Sequence, residues 1–359
     1  RDLVEQRKWI SEADYKEGLA LAQLMPGPLA AQLAIYLGYV HYRVWGATLV
    51  GIAFVVPSFL MVVALGWAYV LYGGLNWMQA VFYGVGSSVI GIIAFSSVKL
   101  TRKTIGKDGL LWLVFLVSAA ATIITESETV WLFLGAGVLV WLIKEPPRRK
   151  QPNEATANLA LVPIGFSFAG LPQASHETLL QILLFFTKAG AFVFGSGLAI
   201  VPFLYSGVVK EYGWLNDHQF LDAVAVAMIT PGPVVITVGF IGFLVGGFTG
   251  AAVAAIATFL PCYLLTVIPA PYFKKYGRRP GIIAFVDGVT AAAVGAIAGA
   301  VVVLGRRTIF DGGTVPDFTK IALMAFTLAI LWRFKKVPEP VIVVAAAVIG
   351  LILYPLVHA

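Results

Sequence analysis

Apolar residues run along this chain in long blocks separated by short polar loops. The blocks fall at Gly18–Tyr39, Val44–Tyr72, Trp77–Val98, Gly109–Thr125 and Thr129–Ile143. They resume at Leu179–Tyr205, Leu221–Gly247, Gly250–Phe273, Gly281–Leu304, Phe318–Trp332 and Val341–Val357. A helix needs about 20 apolar residues to span a bilayer, and most blocks reach that length. The two short ones, Thr129–Ile143 and Phe318–Trp332, borrow flanking residues. The most hydrophilic stretch is Lys144–Asn158; Leu159–Leu171 follows it, apolar but too short to span. The pattern predicts an all-α integral membrane protein with about 9–11 transmembrane or re-entrant segments. It divides the chain into a first repeat (1–143), a cytoplasmic linker with an interfacial segment (144–178) and a second repeat (179–359).

Composition narrows the class further. Of 359 residues, 59% are apolar and 12% charged, against about 45–50% and about 25% in a soluble domain. A soluble globular enzyme, a disordered chain and a disulfide scaffold are excluded. The net charge of +7 sits in short loops between apolar blocks, where it orients a membrane protein rather than binding nucleic acid. Cys262 is the one cysteine, and the four histidines are scattered, so no metal site is expected.

The two halves are copies. At an offset of 205, Val4, Trp9, Ala20, Ala22, Pro26, Gly27 and Pro28 match Val209, Trp214, Ala225, Ala227, Pro231, Gly232 and Pro233, seven identities in positions 4–28. Composition alone gives about two. At an offset of 204, Gly46, Pro57, Tyr72, Gly84 and Gly91 match Gly250, Pro261, Tyr276, Gly288 and Gly295. The stretch 187–204 precedes the second copy's shared start, so its first-half counterpart is expected before Arg1.

Loop charge gives the halves opposite sense. Counting Lys and Arg, the loops of the first half run 0, 4, 0, 4 and those of the second 4, 2, 3, 0. Positive charge marks the cytoplasmic side. Equivalent loops therefore face opposite sides, as in an inverted-topology repeat, a plan common among secondary transporters. With six segments per complete half, inversion asks one segment to enter and return; the candidates are the Pro-Gly-Pro block and the block holding Phe194-Gly195-Ser196-Gly197.

Candidate chemistry centres on Pro26-Gly27-Pro28 and Pro231-Gly232-Pro233, each inside an apolar block. Two prolines and a glycine cannot continue a helix. Broken backbone at membrane depth is tolerated only beside protein or a water-filled cavity. The helix restarting after each break aims free N–H groups at one spot, a ready anion site. Gln23, Gln32, Thr230 and Thr237 flank the breaks as neutral polar groups, and Gly195, Ser196 and Gly197 offer flexible backbone donors. Intramembrane charges are usually functional; Lys188, Asp222, Asp287 and Glu17 are the candidates for charge or coupling roles.

These motifs resemble the chromate ion transporter family. The resemblance rests on Trp9-Ile10-Ser11-Glu12 with Pro26-Gly27-Pro28, on Trp214-Leu215-Asn216-Asp217 with Pro231-Gly232-Pro233, and on Phe194-Gly195-Ser196-Gly197-Leu198-Ala199-Ile200-Val201-Pro202. It covers nearly the whole chain. It departs where Ser196 replaces the family's usual glycine and where the first half's glycine-rich signature is missing. The resemblance implies a multi-pass protein of the bacterial inner membrane that exports chromate and confers resistance, with sulfate, an isosteric dianion, as competitor. Sulfate or other oxyanion transport by the same fold is the first alternative, and an anion channel the second. The expected partners are the oxyanion and the lipid bilayer, with a homodimer as the candidate assembly and no nucleic acid. No nucleotide, flavin or metal motif is present, so no cofactor and no enzyme activity are expected.

Overall fold

A computed structural model describes residues 9–72, 75–126, 130–146, 176–193, 197, 200–276, 279–310, 316–334 and 337–357. Its helices are α1 (Glu12–Leu24), α2 (Leu29–Tyr72), α3 (Asn76–Thr104), α4 (Gly109–Thr125), α5 (Val130–Lys144), α6 (His176–Ala191), α7 (Ile200–Tyr205), α8 (Asp217–Ile229), α9 (Thr237–Val267), α10 (Ala270–Tyr276), α11 (Pro280–Phe310), α12 (Phe318–Arg333) and α13 (Glu339–Val357). Among the described residues there is no strand, and five stretches are long and apolar enough to cross a membrane. The protein is an all-α, multi-pass membrane protein. The expected linker and interfacial segment fall almost wholly outside the described residues.

Local sequence sets the helix starts, and it does so in pairs. Ser11 caps α1 by accepting from Asp14 N–H, and Asn216 caps α8 in a reciprocal box with Gln219. Asp108 accepts from Leu110 and Leu111 at the start of α4; Asp317 accepts from Thr319 and Lys320 at the start of α12. Each cap satisfies orphan N–H groups that bilayer depth would leave costly.

The 44-residue α2 is not one straight rod. Its backbone breaks at Tyr42 and Arg43 (φ −131° and 54°), and α9 breaks at Gly246 and Gly247 (φ −139° and 62°). The matched dihedral angles fold each helix into a hairpin. A Cβ on Gly38 would sit 2.4 Å from the Gly46 carbonyl oxygen, and one on Gly242 would sit 2.5 Å from that of Gly250. Eight residues of straight helix would hold those positions about 12 Å apart. Only glycine permits such an approach.

A second fold-back occurs at each Pro-Gly-Pro. Gly18 on α1 lies against Leu33 and Tyr36 on α2, and His41 reaches the Trp9 carbonyl. The two limbs, 12–24 and 29–41, are therefore antiparallel, with the Pro-Gly-Pro at the tip. Thirteen helical residues rise only about 20 Å, short of the roughly 30 Å hydrocarbon core. The second copy does the same with α8 and the first limb of α9. The block around Phe194 also folds back, because Phe185 of α6 stacks on Phe203 of α7 and meets Gly207. The sequence expectation asks one segment to enter and return; at both candidates the helices on either side lie against each other.

Long helices exchange partners between halves. Gly91 of α3 meets Met324 and Thr327 of α12, while its copy Gly295 of α11 meets Phe115 and Ser118 of α4. Likewise Gly84 of α3 lies on Ala346 of α13, and Gly288 of α11 lies on Ala136 of α5. α3 and α11 thus each pack on the last two helices of the other half.

The bundle has two distinct ends. At one, Glu126 binds Lys210 and Arg307, and Arg307 also reaches Asp217. At the other, Lys144 pairs with Asp108, and Arg102 lies over Trp332. α5 finishes at this Asp108 end. α6 starts at the Glu126 end, because it runs alongside the second limb of α9, Ile182 by Gly250 and Gly190 by Thr258.

Candidate functional site

The two breaks share one backbone form. Gly27 has φ +143° and Gly232 has φ +138°, a region that L side chains rarely adopt. α1 ends where Met25 N–H bonds Leu21, and α8 ends where Thr230 N–H bonds Val226. The chain then restarts as helix at Leu29 and as a 3-10 turn at Val234–Ile236. Gln32 N–H bonds the Pro28 carbonyl and Ile236 N–H the Pro233 carbonyl; the N–H groups ahead of them in each restart precede the first intrahelical bonds.

Each break rests on the long helix of the opposite half. Ser58 Oγ donates to the Pro231 carbonyl at 2.6 Å. A Cβ on Gly232 would lie 2.0 Å from that Oγ, and one on Gly27 would lie 3.0 Å from Cys262 Sγ. Ser58 and Cys262 are themselves matched positions, each following the proline inside its helix (Pro57, Pro261). In the sequence, those prolines stood out as a matched pair and Cys262 as the one cysteine. The signal was present in their common offset.

The glycine-rich segment touches both breaks. Gly27 N–H donates to the Val193 carbonyl. Gly197 packs on Val234, with a would-be Cβ 3.6 Å from its nitrogen. Four residue steps reach at most about 14 Å, so this stretch ties the first break to the restart after the second. Gly195 and Ser196 lie outside the described residues.

Of the flanking polar groups, Gln32, Thr230 and Thr237 are buried and mostly engaged, whereas Gln23 is exposed. Gln32 Nε2 donates to the Pro26 carbonyl at 2.7 Å, while its Oε1 has no hydrogen-bond partner among the described residues. Thr230 donates to Val226 and Thr237 to Val234. Pro231 and Gly232 are exposed, whereas Gly27, Pro28 and Pro233 are buried.

The charged candidates scatter. Lys188 is exposed on α6, and Gln23 is exposed on α1. Asp287 lies toward Lys144 and Asp108 at the far end. Glu17 faces Tyr36 inside the first hairpin. Asp222 is buried and borders a cavity of about 980 Å³ at the Glu126 end. That cavity also takes in Tyr69, Tyr83, Arg306, Arg307 and Lys320, and no Pro-Gly-Pro residue lines it. Lys320 is 4% exposed and sits over the Tyr83 ring, beside Asp317. Hydrogen bonding from Lys210, with Arg307 beside it, holds the Glu126 carboxyl below the usual carboxylate range. Sequence reading missed this network, whose members come from four separate elements. Among the described residues, no group of His, Cys, Asp and Glu could hold a metal ion.

The family described as "Chromate transporter" matches residues 1–141 and 180–351. A "Chromate transport protein" from Cupriavidus metallidurans is 67% identical over the full chain, which covers 88% of its length. A "Probable chromate transport protein" from Synechococcus elongatus is 66% identical over 99% of the chain and 89% of its own length. A "Chromate transport protein" from Pseudomonas aeruginosa is 30% identical over 99% of the chain and 86% of its own length. No solved structure matches the chain.

Proposed function

Since the chain belongs to the chromate transporter family, we propose that it exports chromate across the bacterial inner membrane, holding the dianion between its two Pro-Gly-Pro breaks. The observation that carries the site is the single short stretch that contacts both. Gly27 bonds to Val193, and Gly197 packs at Val234. Two helix restarts with orphan N–H groups converge on it, and such groups favour anions without a fixed positive charge. Gln32 Oε1, Pro26, Pro28, Pro231, Pro233, Thr230 and Thr237 shape the surround.

The halves are read as an inverted repeat. Lys99, Arg102, Lys103, Lys107, Lys144, Arg279 and Arg333 belong to loops and helix ends of the Asp108 end, which makes that end cytoplasmic. The first hairpin is then based on the cytoplasmic side and the second on the outer side. Four long limbs cross in each half; α5 finishes at the Asp108 end and α6 starts at the Glu126 end, which sets aside the expectation that the linker between them is cytoplasmic throughout. Moving a dianion out of a negative-inside cell is favourable by about 2.3 kcal/mol per charge per 100 mV. Export that lowers internal chromate gives resistance.

The test is chromate uptake into everted membrane vesicles, with and without a membrane potential and with excess sulfate. Potential-dependent, saturable uptake that sulfate blocks and Gly232→Leu abolishes is expected. No uptake under any gradient sinks chromate export. Non-saturating current points to a channel, and sulfate flux without chromate flux points to a sulfate transporter.

A further inference from the structure

Four carboxylates line or border the cavity at the Glu126 end, and three have cations or backbone N–H groups as partners. Glu126 has Lys210 and Arg307, Asp217 has Arg307, and Asp317 has Lys320 and two N–H groups. Asp222 differs. It is 8% exposed, and its recorded partner is a neutral hydroxyl, Tyr69 Oη donating to Oδ2 at 2.7 Å. Tyr69 is itself held edge-on by Phe82 and Phe240. Besides Tyr69, the charged and titratable groups facing the same cavity are Tyr83 from α3, Glu126 at the end of α4, Arg306 and Arg307 from α11, Lys320 from α12, Tyr354 from α13, and Asp217 and His218 from α8 itself. None of these has a recorded bond to Asp222.

From this geometry we infer that Asp222 is a proton-exchange site that couples proton entry to anion export. It sits on the limb that leads into the second break, eight residues before Thr230. A proton taken from the outer cavity neutralises this limb, and its release on the cytoplasmic side restores the charge. A proton moving in and a dianion moving out carry charge in the same sense, so one negative-inside potential drives both. Tyr69 positions the carboxyl from the opposite half, so the bond joins the second hairpin to the first half's long helix. The matched carboxylate, Glu17, faces a tyrosine (Tyr36) of its own hairpin, whereas Asp222 takes its tyrosine from the opposite half. This inference rests on the transport reading above.

The test uses the full chain in everted vesicles with the potential clamped and the lumen acid. Two rates are read: net chromate accumulation driven by the pH gradient, and chromate–chromate counterflow without any gradient. In the wild type the gradient raises accumulation by up to about tenfold per pH unit for one coupled proton. Asp222→Asn is expected to erase that rise while counterflow persists. An Asp222→Asn protein that responds to the gradient like wild type overturns the inference. Should Asp222→Asn lose counterflow too, Tyr69→Phe decides. A displaced pH profile of net transport with counterflow intact supports the site, and an unmoved profile overturns it. Wild-type vesicles without counterflow would instead remove the transport reading itself.

Discussion

The two Pro-Gly-Pro hairpins carry the same motif and the same backbone, yet they occupy different surroundings. In α8, nine of thirteen residues are buried; in α1, three of thirteen are. α8 is enclosed by α3, α13 and the turn following α7, whereas α1 packs on its own α2 and on α10. The backbone therefore comes from the local sequence, and the burial comes from what surrounds it. A buried carboxylate facing a cavity follows only in the enclosed copy. The two breaks thus share a motif, and packing gives them unequal burial.

The sharpest way to break that comparison is alanine at the two central glycines. Both positions have positive φ, so either change costs about 1–2 kcal/mol in backbone strain. Gly232→Ala also drives its Cβ to 2.0 Å from Ser58 Oγ, in the middle of a packed helix, adding about 1–3 kcal/mol. At Gly27 the first atoms met are the amide end of Gln32, 2.7 Å away, and a side-chain terminus can move. Gly232→Ala is thus expected to lower the thermal midpoint in detergent more than Gly27→Ala, and to stop chromate uptake. Adding Ser58→Ala recovers part of the loss at 232 and none at 27. Equal shifts in all four proteins would show that the opposite-half contact contributes nothing.

Much of this was legible in the sequence, for identifiable reasons. Hydrophobic blocks ended at Tyr39 and Gly247 because the hairpin bends at Tyr42–Arg43 and Gly246–Gly247 interrupt apolar helix. Pro-Gly-Pro announced its own break, because backbone chemistry is local. Partner exchange between halves was not legible: Gly91 meeting Thr327 and Gly295 meeting Ser118 are long-range contacts, and the glycines themselves read only as small residues. The same limit hid Ser58 beneath Pro231 and the Tyr69–Asp222 bond. The glycine-rich segment was singled out as a feature, and Gly197 lay within its motif, but the other contact, Val193 with Gly27, is long-range and no motif marks it.

The matched tryptophans give a second, smaller contrast. Trp214 stacks on Tyr212 and on Phe186 and meets Phe185 edge-on. Trp9 is 62% exposed. Trp214→Ala removes half-buried aromatic packing that clamps the entry to the second hairpin, at about 2–3 kcal/mol. Trp9→Ala is expected to stay within about 0.5 kcal/mol. Thermal melts of the two variants check this, and a larger loss at Trp9 would mean that the first hairpin is covered by something other than α2 and α10.

The smallest effect lies in the ion network at the mouth of the enclosed hairpin. Glu126 joins α4 to Lys210, just before α8, and to Arg307 on α11. Hydrogen bonding from Lys210 comes first among the causes that depress its carboxyl, with Arg307 second among the favourable ones. A depressed carboxylate contributes stability that is fully present above the ordinary glutamate range and is lost as pH falls through its lowered value. Its side chain is 36% exposed, so solvent screening limits the gain to about 0.5–1 kcal/mol. The wild-type melting temperature should therefore fall on acidification more steeply than that of Glu126→Gln, with the two curves meeting at low pH. The difference should shrink in high salt, because the pairs are only partly shielded. No equivalent network holds the first hairpin among the described residues, where His41 reaches the Trp9 carbonyl instead. A Glu126→Gln curve that runs parallel to wild type at all pH values would remove this network from the account of why the two hairpins differ.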